Sequence, residues 1–599
     1  MIWYVCWWLA LGALLASIIV AVWQKMKEDA AIKPIYVLVA GMFFSLLFMF
    51  FPIQQHLFQG DFAATFKAVL ISATRTLGFF GGGGDFDVVF SETTGLSGWL
   101  SDAYALFCAV LTVLAPILTF GFVLSFFKGF FTLMRYLTHK RANTYVFSQI
   151  NDHSVSLAES LQQEDPDAIL IFADFPKDEK SLAPELLTRL QQLKDFTFRQ
   201  NITALSLRKP NGKKTSFFAM NEKESESITI ALQLIEKYRN RENTTLYLFS
   251  DSVESELMLN NVCKNDNNQQ RLIVRRISPQ GAFVNHLLHT DGNRLFTSAI
   301  PVSEDTKLIS ALVLGTGQLG TKMLKALAWY GQMDGYLLQI HAFDKSKDAR
   351  DRFEALCPDL LNPEYNGIYL AGEAFHQIDV ETCDVCTQTF RQKIKDIKNI
   401  SYAFVCLGDD SLNIATAVEL RVLFEQMHIS PPILAVVSDS QKAAALQNAK
   451  NFKQQAYNIH FVGDAKTVYS SQVILNSALE KDALELHKRY NDGKPDGFYE
   501  FEYNYRSSMA SVIHQQARIH CGIPGADKPE SQRTAEDEQR IGILEHKRWN
   551  AYMRSEGYVY SQDPNKNSRN DLGRMHHYLV PYEKLSDDIQ RIDVILGFS

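Results

Sequence analysis

Three long uncharged stretches crowd one end of this chain. Residues 2–23, 34–60 and 103–127 contain no Asp, Glu, Lys or Arg. A helix needs about 20 predominantly apolar residues to cross a bilayer, and each stretch is long enough. The first is not read as a signal peptide. It has no basic start, its apolar part is too long, and no small-residue cleavage site follows. Lys25, Lys27 and Lys33 follow the first stretch, and Lys128, Arg135, Lys140 and Arg141 follow the third. Basic residues flank spans on the cytoplasmic side, which predicts an outside N-terminus and a cytoplasmic location for everything after about residue 128. Localisation in the cell (inner) membrane, multi-pass, is the expectation. Trp3, Tyr4, Trp7, Trp8 and Trp23 suit interfacial belts.

The segment between the second and third spans is unusual. Residues 62–77 read as a short, mostly apolar helix carrying only Lys67 and Arg75, and it runs into the glycines at 81–84. A span, a short re-entrant helix at 61–84, a glycine-rich turn and another span outline a pore unit. Glycine permits backbone in which carbonyls replace an ion's water shell. The plainer reading is a flexible glycine-rich outer loop after an amphipathic segment. The run Ser72-Ala73-Thr74-Arg75-Thr76-Leu77-Gly78-Phe79 resembles the filter segment of Trk/Ktr-type potassium transporters and, more loosely, the filter of potassium channels. The channel pattern has Gly where Phe80 stands. The resemblance implies Thr76, Leu77, Gly78 and Phe79 as pore residues. It also implies a homotetramer, because one chain supplies one pore unit. Pro116 and Gly121 in the third span are candidate hinge positions.

At 599 residues the chain exceeds one core and predicts three or four domains. Its net charge of −7 argues against a nucleic-acid partner, which would call for a basic domain or stripe. From about residue 142, short apolar runs alternate with helical stretches, the rhythm of a parallel sheet covered by helices. Strands are predicted at 144–147, 168–173, 202–207, 216–220, 245–249 and 272–274, and again at 310–314, 338–343, 402–407 and 433–437. The two series align. Phe147 matches Leu314, Asp174 matches Asp344, Ile228 matches Ile414, and Ser250-Asp251-Ser252 matches Ser438-Asp439-Ser440. This predicts tandem α/β Rossmann-like domains at 142–300 and 301–475, after a membrane domain at 1–141.

The second domain carries Gly315-Thr316-Gly317-Gln318-Leu319-Gly320 directly after a strand and before a helix. Gly315 allows the tight turn, Gly317 lets backbone approach a diphosphate, and Gly320 lets helix and strand pack. Asp344 ends the next strand, where a carboxylate would hold a ribose hydroxyl and repel a 2′-phosphate. NAD or an adenine nucleotide is therefore the predicted regulatory ligand. The alternative is a domain that kept the turn and binds nothing. The first domain has Ser148-Gln149-Ile150-Asn151-Asp152-His153 at that place, without glycine, and reads as structural or as binding something else. The run from Tyr402 to Asn413, with Gly408 and Asp409 in its turn, is similar to the fourth strand and turn of TrkA-N (RCK) domains. Those domains regulate potassium channels and transporters. The resemblance implies Gly408 and Asp409 as further ligand contacts.

Helices are predicted at 478–490, 503–520 and 536–555 in a mainly α domain at 476–599. Leu544-Glu545-His546-Lys547-Arg548-Trp549-Asn550, Gly557-Tyr558, Arg569-Asn570-Asp571, Arg574-Met575-His576 and Leu579-Val580-Pro581-Tyr582 look like the ryanodine-receptor repeat (RyR) domain, with His577 departing from the family's Pro. The resemblance implies a small, nucleotide-like ligand. Trp549 and Tyr582 would stack on a base, Arg548 and Arg574 would meet phosphate, and His576 lies beside them. The competing reading puts Trp549 in the core and lets His576 satisfy backbone groups. Cys383-Asp384-Val385-Cys386 is a single CxxC without a second pair, so no metal is assigned. No acid–base set for hydride transfer is evident, and no enzyme is predicted.

Together these readings predict a ligand-gated ion channel or transport protein, for potassium or other cations, gated through its cytoplasmic domains. The alternative is a membrane-anchored nucleotide-sensing signalling or defence effector without selective conduction.

Overall fold

The computed structural model describes residues 2–26, 34–58, 60, 62–81, 83, 86–96, 98–138, 142–176, 181–193, 195–205, 207, 213–264, 271–361, 376–475, 478–499, 501–561 and 569–598. Lys27, Lys33, Lys140 and Arg141 of the charge-bias argument, Gly82 and Gly84 of the glycine run, and Ser206 of a predicted strand lie outside the described residues. The chain divides into two compact units, Met1–Lys140 and Arg141–Ser599.

The first unit is helical: α1 (Ile2–Met26), α2 (Pro34–Leu57), α3 (Phe62–Phe80), α4 (Phe86–Thr93) and α5 (Trp99–Thr138). Three of these hold windows long and apolar enough to cross a membrane, Ile2–Ala21, Val37–Leu57 and Trp99–Phe120, with mean hydropathy of 2.1, 2.1 and 2.2. Small residues let α1 and α2 approach: Ser45 donates to the Ala10 carbonyl at 2.8 Å, and a Cβ on Gly41 would collide with Ser17. Helix α5 runs unbroken through Pro116 and Gly121. Helix α3 departs from expectation. It does not stop at residue 77 but continues through Phe80, so the predicted filter residues are helical.

The second unit holds two sheets of one design. In the first domain β1 (Thr144–Phe147), α6 (Asp152–Glu164), β2 (Ile169–Phe172), α7 (Pro184–Gln192), β3 (Asp195–Thr197), β4 (Thr215–Ala219), α8 (Glu224–Tyr238), β5 (Thr244–Phe249), α9 (Val253–Lys264) and β6 (Ile273–Ile277) build a parallel sheet of order β3-β2-β1-β4-β5-β6. Helices α10 (Pro279–Asp291) and α11 (Asn293–Thr297) follow. The second domain contains β7 (Ile300–Pro301), β8 (Lys307–Leu314), α12 (Gln318–Tyr330), β9 (Tyr336–Asp344), α13 (Ala349–Leu356), β10 (Gln377–Thr382), α14 (Gln388–Asp396), β11 (Tyr402–Val405), α15 (Asp410–Gln426), β12 (Ile433–Val436), α16 (Ser440–Leu446) and β13 (Ile459–Val462). Its order is β10-β9-β8-β11-β12-β13, with β7 antiparallel on β8. Both are the doubly wound order that reverses beside the first strand. Strands such as Ile169–Phe172 and Thr215–Ala219 are buried along their whole length, as helix-covered parallel strands must be.

Of the strand predicted at 202–207, residues 202–204 form a turn instead. The Asn201 carboxamide accepts from the Thr203 backbone and hydroxyl at 3.0 Å each, closing an Asx turn, and Asp195–Thr197 takes the sheet edge. Strands β10 and β13 were not anticipated.

The segments that leave the two sheets are exchanged. Helix α10, after β6, lies against α12 of the second domain. Helices α17 (Ala465–Val468) and α18 (Ser471–Ile474), after β13, lie against α6 of the first, with Ser471 and Ser160 hydroxyls 2.8 Å apart. The C-terminal part comprises α19 (Ala478–Tyr490), α20 (Glu502–His520), α21 (Ala535–Ser555), α22 (Asp587–Gly597) and a small sheet of β14 (Val559–Tyr560), β16 (Met575–His576) and β15 (Arg569–Asn570). One apolar core runs from α12 and β8 into α20 and α21.

Candidate functional site

Beyond the C-terminal ends of β8 and β11, where the strand order reverses, lies a cleft of about 420 Å³. Open α/β sheets bind ligands at such a place. Its floor is the glycine turn. Gly315 has φ +93°, and a Cβ there would strike the Cys406 carbonyl; one on Gly320 would strike the Gly315 carbonyl. Both glycines are therefore required by the fold. Gly317 is not. Its φ is −63°, and a Cβ there would meet nothing within 4 Å. Gly317 is also the N-cap of α12 and supplies no side-chain cap, so the helix begins with bare amides facing the cleft. Uncapped helix amides favour an anion.

Asp344 sits beside this turn. One carboxylate oxygen accepts from the Thr316 amide at 2.7 Å and the Thr316 hydroxyl at 3.0 Å, and the other from the Ser346 amide at 2.8 Å. Burial pushes the carboxyl up, but these donors outweigh it and hold Asp344 below its ordinary pKa. The carboxylate thus braces the glycine turn while still lining the cleft. Gly408 also lines it, at φ +87° with open space around its Cα.

Asp409 does not serve as predicted. It caps α15, accepting from the Leu412 amide at 2.8 Å, and is not a lining residue. Its neighbour Asp410 lines the cleft and holds the following loop through the Ser438 and Asp439 amides at 2.9 and 3.0 Å. Asn413 ties Leu407 to Val436 across the same corner. Sequence reasoning missed Lys345, Asp384, Asn413, Ser438 and Gln280 as lining residues. The signal left unread is the alternation in Gln377–Thr382 that marks β10, whose end delivers Asp384; nothing local signals Gln280, which comes from the other domain.

At the equivalent turn of the first domain the helix N-terminus is already capped. The Asn151 side chain caps α6 in a capping box with Ser154, Ser148 bonds Asn221, and His153 stacks on Tyr469 with centroids 4.1 Å apart. Side chains occupy the space that glycine leaves open in the second domain.

In the C-terminal domain the predicted ligand residues are turned inward. Arg548 is fully buried, donating to Ser511 at 2.9 Å and to Glu545, which Arg518 also pairs. Burial alone would raise the Glu545 carboxyl, but the two guanidiniums hold it below its ordinary value. Arg548 is thus a core residue rather than a phosphate contact, because its charge is neutralised by an acid beneath it. Trp549 packs between His546, at 5.5 Å, and His576, at 4.9 Å, and Tyr582 is buried against His546. Burial pulls His576 down to about 4. Arg569 covers the Tyr503 ring at 3.6 Å. Arg574 is exposed at φ +46° and donates to the Glu556 carbonyl at 3.3 Å. Of the five predicted residues, Arg574 is exposed, Trp549 is half-buried, and Arg548, His576 and Tyr582 are buried.

In the first unit, Thr76 and Phe79 face the packed interior, with Phe79 5.2 Å from the Phe50 ring, whereas Leu77 is 60% exposed. The Gly78 carbonyl accepts from the Gly81 and Gly83 amides at 3.0 and 2.9 Å. The carbonyl is engaged within the chain, contrary to the filter expectation. Among the described residues no cluster of His, Cys, Asp or Glu is arranged to hold a metal ion.

No protein-family model matches this chain, and no curated protein matches it.

Proposed function

We propose that this protein is a nucleotide-regulated ion-conducting membrane protein. The observation that carries the reading is the cleft at Gly317. It is a bare helix N-terminus, free of any packing reason to be glycine, on a chain that also carries three helices of spanning length. NAD or an adenine nucleotide would place its diphosphate on the α12 amides and a ribose beside Asp344. The second unit would lie in the cytoplasm and the N-terminus outside the inner membrane. Four copies would surround a path for potassium or other cations. Binding gates such a path only if the ligand favours one arrangement of the cytoplasmic assembly over another. Helix α12 suits that role. It starts in the cleft and ends against the C-terminal domain, where Trp329 meets Tyr552 and His514 meets the Gln332 carbonyl at 2.6 Å.

A second reading is a membrane-anchored nucleotide sensor or effector without selective conduction. It is favoured by the helical state of Thr76–Phe79. Liposome flux separates the two. Purified protein should pass potassium at a rate that NAD or an adenine nucleotide changes, and Gly317→Val should remove the response. Nucleotide binding without any ion flux would discard the channel and leave the sensor.

A further inference from the structure

The membrane unit holds a hollow of about 470 Å³ between three of its helices. Its walls include Ala40, Phe43 and Phe44 of α2, Leu77 and Phe80 of α3, and Thr119 of α5. No lining residue carries a charge. The Thr119 hydroxyl already donates to the Ala115 carbonyl at 2.8 Å. The walls are reachable from outside: Leu77 is 60% and Phe44 51% exposed. Depth follows from the spans. Ala40 and Phe44 lie in the first turns of the window Val37–Leu57, and Thr119 is one residue from the end of the window Trp99–Phe120. The hollow therefore sits within the hydrocarbon belt, at the end of the spans where Lys25 follows the first window and Lys128 the third. Basic residues at a span end complement the phosphate of lipid headgroups. An empty hollow leaves its walls without dispersion partners, and a hydrocarbon chain supplies them without burying a polar group.

We propose that this hollow is a binding site for one acyl chain of a phospholipid from that leaflet. Such a site requires only that α2 and α5 cross the membrane, and it is independent of the cleft at Gly317. The volume falls in the range of small-ligand sites, about 300–1,000 Å³. A hydrocarbon chain is slim enough to enter between three helices of one unit, whereas a whole helix of a second copy is about 10 Å wide. Once bound, the chain braces the last turn of α3, where Leu77 and Phe80 stand, against α2 and α5 at once. Lipid thereby becomes a structural ligand of the segment that runs into the Gly81 turn.

The test is native mass spectrometry of the full-length protein in detergent, stripped of lipid and then given palmitoyl-oleoyl phosphatidylglycerol, with unfolding midpoints recorded in parallel. Wild type should retain one lipid per chain and unfold at a higher midpoint with lipid than without. Ala40→Phe and Thr119→Phe, which fill the hollow from different helices, should weaken retention about tenfold, the worth of roughly two buried methylenes, and should lose the lipid-induced rise. Val113→Phe, at an exposed position of α5 outside the hollow, should behave as wild type. Dihexanoyl phosphatidylglycerol, which has the same headgroup on chains too short to fill the hollow, should not be retained. A wild type that keeps no lipid would overturn the proposal whatever the variants do. So would equal retention of the short-chain lipid, or wild-type retention by a folded filling variant. Lipid-free oligomers that Ala40→Phe breaks into single chains would give the hollow to a second copy and overturn it as well.

Discussion

Gly317 and Gly320 stand three residues apart and answer to different demands. A methyl group on Gly320 runs into the Gly315 carbonyl, whereas one on Gly317 points into open cleft. Gly320→Ala should therefore destabilise the protein by about 1–3 kcal/mol through overpacking. Gly317→Val should leave the unfolding midpoint alone and abolish nucleotide binding, as thermal unfolding with and without NAD will show. A second residue-level expectation concerns buried imidazoles. Burial lowers His376 and His576 from 6.5 to about 4. Each is held neutral in the fold, so the unfolded chain takes up its proton first as pH falls. Stability is present in full above 6.5, is lost as pH falls toward about 4, and changes no further below that on account of these groups. Denaturant titrations across that window should show a loss of up to about 3 kcal/mol per histidine. His376→Gln, which can still donate to the Leu360 carbonyl, should flatten the slope.

At the scale of elements, α3 and the exchanged helices matter most. The run to residue 77 is legible as a helix from its composition, but its end is not. Glycine after phenylalanine suggests a break, yet packing of Phe79 on Phe50 and of Phe80 on Phe43 carries the helix to Phe80. Hydrogen exchange on the protein in lipid nanodiscs should find the amides of Thr76–Phe80 as slow as those of Ala68–Ser72. Fast exchange confined to 76–80 would restore a non-helical filter. The β strands buried on both faces were readable as apolar runs bounded by turns. The strand at 377–382 alternates Gln, Ile, Asp, Val, Glu and Thr, a weaker signal because one face meets water. The false strand at 202–207 shows the converse: Ile202 and Leu205 are buried, but they plug a turn held by Asn201.

Across the second unit, the two sheets and the C-terminal domain are joined by charge as well as by apolar packing. Arg275 lies among Tyr247, Tyr499 and Tyr505 and bonds Glu480 at 2.7 Å, and Arg276 bonds Glu502 at 2.7 Å. A double-mutant cycle on Arg276 and Glu502 should give a coupling of about 1–3 kcal/mol in unfolding free energy, since Arg276 is largely buried and its partner mostly so. A value near zero would mean that this pair adds nothing to the joint and that Arg275–Glu480 and the apolar packing hold it. The sequence by itself determined the three apolar spans, the tandem sheets and the glycine turn. Each of these is a local matter of hydropathy, period and backbone freedom, readable along the chain. Only the tertiary structure decided that Arg548 is neutralised by Glu545 in a core, that Tyr469 stacks on His153 at the first domain's turn, and that Gln280 lines the second's cleft. Tyr469 and Gln280 come from another domain, and Glu545, although it shares α21 with Arg548 three residues away, is met in the core by Arg518 of α20, so spacing along the chain does not fix the surroundings of any of them.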